Sequence, residues 1–311
     1  MVLEDLVNDT GFRNGLVAGV VGLVVVGGLA VAVRRPPEKG LLGLAGIAVV
    51  LATLFGLERR EVLADDEQLL VGLVVLAAGA LVTTRFRWPL GLGMLAAVPG
   101  AALVASTSDV ADINIDWVRA LTFVTTAAGA ALVADFDREN ARSGLGPVLL
   151  AVTALGMYTT VPDTEQAAVL VGATLPLALL GWPKPLASLG APGAAATVGL
   201  VVWTASVGGR GRPGAIVGAM ACLGVMLLEP LVRRAFRRRP APAPTSPLSS
   251  GMVVVAALHV ALVLCVSLAA GREVSARAAA AISVVAFAAA AAALAVILML
   301  RWPSLNAKRR E

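Results

Sequence analysis

A chain of 311 residues that is 58% hydrophobic and 14% charged, with a mean hydropathy of +0.87, excludes an ordinary soluble domain, in which roughly a quarter of the residues carry charge. Its net charge of +5 comes from 25 Lys and Arg against 20 Asp and Glu; because the basic residues lie in short segments between apolar runs, they set orientation in a bilayer and imply no nucleic-acid partner. Cys222 and Cys265 fall inside apolar runs and the chain has a single His, so no metal site and no cofactor is expected.

The N-terminal residues 1–14 carry Glu4, Asp5 and Asp9 ahead of the first apolar run. That is the opposite of the basic start of a signal peptide, and no cleavage is expected. Runs of bilayer-spanning length, about 17–25 residues for a hydrocarbon core of about 30 Å, follow. They lie at about 15–33, 40–57, 69–84, 89–106, 118–134, 145–160, 167–181, 186–207, 214–232, 251–270 and 278–300. Eleven such runs predict an all-α, polytopic membrane bundle. With the N-terminus outside, 17 of the 25 basic residues fall on the inner side and 14 of the 20 acids on the outer side. The positive-inside rule then predicts N-out, C-in. The Ala-, Val- and Arg-rich usage points to a bacterial cytoplasmic membrane.

Internal similarity organises the runs. Trp88-Pro89 is followed about ten residues on by Pro99-Gly100-Ala101-Ala102, and Trp182-Pro183 by Pro192-Gly193-Ala194-Ala195. The acidic helix starts Asp65-Asp66-Glu67-Gln68 and Asp163-Thr164-Glu165-Gln166 precede them in the same order. Arg60-Glu61-Val62 and Arg87-Trp88-Pro89 recur as Arg272-Glu273-Val274 and Arg301-Trp302-Pro303. These matches predict three tandem parallel repeats of four, four and three helices, over 1–110, 111–209 and 210–311, related by an axis along the membrane normal. The third unit holds an Arg- and Pro-rich cytoplasmic linker, 233–250, and lacks a fourth helix. Its open flank is the expected seat of a partner protein.

Proline inside a helix removes a donor, and carbonyls freed within a bilayer must line a cavity or meet a partner group. Interruptions at matching positions of two repeats point to a transport pathway, so Pro99, Gly100, Pro192 and Gly193 are its candidate residues. Close helix packing through glycine is the structural alternative. His259, near the middle of the tenth run, is a candidate proton carrier, the alternative being a neutral ring bonded to a neighbouring helix. Asp65, Glu67, Asp163 and Glu165 form an outer acidic cluster suited to cations or a basic partner, or simply solvated. Arg233, Arg234, Arg237, Arg238 and Arg239 are candidates to hold anionic membrane lipids. Glu229, four residues before Arg233, is explained by an i,i+4 ion pair.

Asp135-Phe136-Asp137, at the inner end of the fifth run, is a carboxylate pair of the kind that holds Mg²⁺ against a pyrophosphate. In span number and sidedness the chain resembles the membrane transferases that load sugar-1-phosphates onto polyprenyl phosphate, and the resemblance implies a nucleotide-sugar site at Asp135 and Asp137. The second acidic motif and the His-rich cytoplasmic loop that this family carries are absent from the sequence. The sequence therefore predicts, first, a transporter or flippase for a small or lipid-linked solute, with no catalytic residue assigned. An accessory membrane subunit comes second and such a transferase third.

Overall fold

The computed structural model describes residues 2–33, 42–59, 67–108, 116–161, 164–209, 213–235, 250–271 and, apart from 283 and 287, 281–293. Among these the regular structure is helical, with one parallel bridge between Leu42 and Ala187 as the only extended pairing. The helices are α1 (Val2–Asn8), α2 (Thr10–Val33), α3 (Ala45–Glu58), α4 (Glu67–Arg85), α5 (Leu90–Ser106) and α6 (Asp116–Asn140). They continue with α7 (Leu145–Thr160), α8 (Glu165–Leu177, closed by a 3-10 turn Ala178–Leu180), α9 (Ala191–Gly208), α10 (Pro213–Leu223), α11 (Val225–Ala235) and α12 (Ser250–Gly271). Four of them, α2, α4, α6 and α9, are long and apolar enough to cross a membrane, and α10 with α11 makes a fifth if that bent pair is one span. Shorter apolar stretches of 10–17 residues lie in α3, α5, α7 and α8, and at Val253–Leu268 within α12.

Helix boundaries depart from the apolar runs where polar residues supply caps. The run beginning near 15 starts five residues earlier, because the Asp9 carboxylate accepts the backbone N–H of Gly11 at 2.6 Å and of Phe12 at 3.4 Å. The fifth run continues past its apolar stretch to Asn140. The expected run 186–207 begins only at Ala191, so Pro192 lies in the first turn of α9, where a missing N–H costs nothing. Pro99, by contrast, is inside α5. The two Trp-Pro copies are thus built differently: Pro89 is the N-cap of α5, whereas residues 182–190 run irregularly before α9 starts.

The core gathers around α8 and α9. α9 is packed by α3, α4, α6 and α10, and 83% of its spanning window is buried, against 17% for α2. Helices approach closely where glycines line up at four-residue spacing, since small residues bring backbones into contact. Gly11, Gly15 and Gly19 of α2 face Glu165, Val169 and Ala173 of α8, and a Cβ at Gly15 would run into the Val169 carbonyl oxygen. α4 and α5 meet in the same way. A Cβ at Gly100 would come 2.7 Å from the Leu76 nitrogen and 2.8 Å from the Gly72 carbonyl oxygen. α8 and α9, the pair that a four-helix repeat would set beside α4 and α5, touch only slightly.

Candidate functional site

The most unusual backbone feature is the break between α10 and α11. Gly224 takes φ of 38°, a left-handed value suited to a residue without a Cβ, and the two helices bend by 66° across it. A break strips carbonyls of their helical donors, and in an apolar interior each needs another. Thr153 of α7 answers one of them: its Oγ1 lies 2.9 Å from the Cys222 carbonyl oxygen and 3.0 Å from that of Leu149.

His259 of α12 completes this cluster. Its Nε2 is 3.1 Å from the Leu149 carbonyl oxygen and 3.2 Å from Thr153 Oγ1. A carbonyl can only accept, so the proton belongs on Nε2 and Nδ1 is left as a bare acceptor. Nδ1 has no hydrogen-bond partner among the described residues, and a Cβ at Gly224 would stand 3.5 Å from it. His259, Thr153 and Cys222 are all fully buried. Three elements, α7, the broken pair and α12, therefore converge on one ring whose free nitrogen faces the break.

A second polar cluster closes the end of the bundle where α6 and α11 finish, here termed the basic end. Asp135 of α6 is only 8% exposed and bridges two guanidiniums: Arg138 at 2.7 Å through one oxygen and Arg234 of α11 at 2.9 Å through the other. Arg233 stands 3.5 Å from Asp135, 3.5 Å from Glu139 and 3.2 Å from Glu229, the last being the i,i+4 pair. Three arginines thus balance three carboxylates, as burial requires. Beside them a crevice of about 420 Å³ to its open mouth runs between α4, α5, α6 and α9. Only about 30 Å³ of it is open to a water molecule, room for about one or two. Trp88, Asp135, Arg138 and Arg234 line its polar part, and it reaches inward to Ala97 and Ala195.

The Asp135–Asp137 pair does not form a joint carboxylate site. Residues two apart project from different sides of a helix, and Asp137 turns to α9, accepting the N–H of Leu189 at 3.1 Å and of Gly190 at 2.8 Å. It is the remote N-terminal cap of that helix. Among the described residues no group of three or more His, Cys, Asp and Glu is placed to hold a metal ion.

The other expected residues fall as follows. Pro99 is exposed on the outside of α5, while Gly100 is buried against α4. Gly193 lets the start of α9 press on the backbone of Gly46 and Ile47. Glu67 and Glu165 are exposed in the first turns of α4 and α8, and Asp65 and Asp163 lie outside the described residues. Arg233 and Arg234 join the ion cluster, while Arg237, Arg238 and Arg239, and the flank expected to lack a twelfth helix, fall outside the described residues. Sequence reasoning missed the Gly224 break, whose only local signal is a glycine ahead of Glu229-Pro230. It also missed the pairing of Asp135 with Arg234, 99 positions apart. No protein-family model, no curated protein and no solved structure matches the chain.

Proposed function

We propose that the chain is a multi-pass protein of a bacterial cytoplasmic membrane that moves a small or lipid-linked solute across it. In this reading it has eleven spans in tandem units of four, four and three, with its N-terminus outside and its basic end in the cytoplasm. The observation that carries the transport reading is the broken span: a 66° bend at Gly224 with the unspent Nδ1 of His259 beside it. Interrupted helices lined by an ionisable group are how membrane transporters build a site without presenting bare backbone to lipid. His259 takes up a proton at Nδ1, and the crevice at the basic end is the closed inner vestibule. Its inner limit, Ala97 and Ala195, lies within one helical turn of Gly100 and Gly193.

The chain supplies its own probe. Cys222 is buried beside the break, and the other cysteine, Cys265, is exposed on α12. In membranes carrying the Cys265→Ser variant, a water-soluble methanethiosulfonate reagent is expected to modify Cys222 within minutes, because a transport cycle must open the break to water. His259→Gln is expected to change that rate. Protection of Cys222 for hours in the folded protein, with full labelling after unfolding in detergent, would refute the reading.

A second reading, the accessory subunit, draws on a different feature. α2 is the least buried of the long helices, and with α3 it walls an apolar groove of about 1020 Å³ to its open mouth. A partner helix covering that face fits a subunit without a transport cycle, in which Cys222 stays closed.

A further inference from the structure

The crevice at the basic end has an amphiphilic lining. At its mouth stand Arg138 and Arg234, 34% and 40% exposed, and Trp88, 41% exposed. Deeper in, the walls are Leu76, Ala80, Ala97, Ala130 and Ala134. A guanidinium offers five N–H donors in a rigid fork. The Asp135 carboxylate engages each of the two forks through a single oxygen, at 2.7 Å and 2.9 Å, and Arg138 adds one contact to Glu139 at 3.1 Å. Among the described residues, most of the donors at the mouth are thus not used. Trp88 adds an indole N–H and a ring suited to an interface.

From this geometry we infer that the crevice is a binding site for a phosphate group, held between Arg138 and Arg234, and that Asp135 occupies the fork as an internal stand-in for it. A ligand that takes the two guanidiniums from Asp135 must bring more charge and more acceptor oxygens than a carboxylate has, which a phosphate ester or free phosphate does and a second carboxylate does not; Asp135 then keeps Arg233, 3.5 Å away, as its counter-charge. The apolar walls behind the mouth accommodate a hydrocarbon neck on that phosphate. Entry requires the arginine side chains to swing outward, since the closed crevice holds only about 30 Å³ of water-accessible space. The crevice is the inner vestibule of the transport reading, but the phosphate site rests on its own lining, and its test is separate from that of Cys222. A chain that binds phosphate here yet keeps Cys222 closed would be a lipid-binding or phosphate-binding subunit and not a carrier.

The test uses the full chain, purified in a nonionic detergent and titrated separately with dioctanoyl phosphatidic acid, dioctanoyl phosphatidylcholine and inorganic phosphate. Tryptophan fluorescence and native mass spectrometry read binding. Phosphatidic acid is expected to bind one-to-one and more tightly than phosphatidylcholine, whose headgroup carries a compensating cation. Arg234→Gln is expected to weaken binding about tenfold, the order of one charge-assisted hydrogen bond. Saturation by inorganic phosphate, lost in the same variant, supports the site with a soluble phosphate as its ligand; saturation by the amphiphile alone supports it with a lipid. Should Arg234→Gln fail to fold, Gly93→Leu gives the second arm. Gly93 lines the crevice, a Cβ there meets only Ala131 at 3.7 Å, and the added side chain is expected to block the hydrocarbon neck. Equal binding of the two lipids with no binding of inorganic phosphate overturns the inference. So does an equal loss in an Arg237→Gln, Arg238→Gln, Arg239→Gln triple variant, which would mark general attraction to basic residues.

Discussion

The Asp137 cap offers the sharpest test of how this bundle is held together. Its carboxylate, 2% exposed, accepts the N–H groups of Leu189 and Gly190 at the start of α9, the most deeply packed of the long helices. Asp137→Ala leaves two donors unpaired in a largely buried setting. A hydrogen bond to a charged acceptor is worth about 1.5–3 kcal/mol, and a carboxylate at a helix N-terminus gains up to about 2 kcal/mol more from the helix dipole. Removing a carboxylate that is itself buried returns part of its desolvation cost, so the net loss expected is about 2–4 kcal/mol. Asp137→Asn keeps one acceptor oxygen but turns an NH₂ toward the second N–H, and is expected to lose about half as much. Equilibrium unfolding in mixed detergent micelles, followed by helical circular dichroism and by the fluorescence of the tryptophans, including buried Trp203 on α9, measures both variants. An Asp137→Ala protein as stable as the parent, within about 0.5 kcal/mol, would show that the cap does not hold α9 and that this carboxylate is free for other work.

Two further outcomes follow from the helix contacts. Gly15→Leu is expected to destabilise the fold by about 3 kcal/mol, because the opposing atoms are α8 backbone, which no rotamer change can clear; a parent-like thermal melt would refute the α2–α8 contact. Pro99→Ala is expected to leave stability within about 1 kcal/mol of the parent, since Pro99 points outward and its replacement restores an N–H to α5. A large loss in the same melts would mean that the proline at this position sets the packing of α5.

Some of this was open to reading before any fold was known. Among the described residues the apolar runs fall largely on apolar helix, with four or five helices long enough to cross a membrane; the Glu229–Arg233 pair forms at its i,i+4 spacing, and Trp88-Pro89 opens a helix. The Pro-Gly pairs were legible as interruptions but not as to kind. The same dipeptide sits in the first turn of α9 at 192–193 and inside α5 at 99–100, because residues 182–190 run irregularly where α5 begins directly after Pro89. His259 was conspicuous by type alone, and nothing local told that its ring would meet Thr153 and the broken pair.

The sequence by itself determined the helical class, the positions of the apolar helices and the local pairs, because these depend on composition and spacing within one or two turns. Tertiary structure alone decided which helices touch: that Gly15 meets Val169, that Asp135 meets Arg234, that Asp137 caps α9 and that His259 faces Gly224. The physical reason is that helices as uniformly apolar as α2 and α9 carry no polar face to mark their exterior. Exposed and packed sides are then made of the same Ala, Val, Leu and Gly, and the partner of each side is chosen by fit between surfaces far apart in the chain.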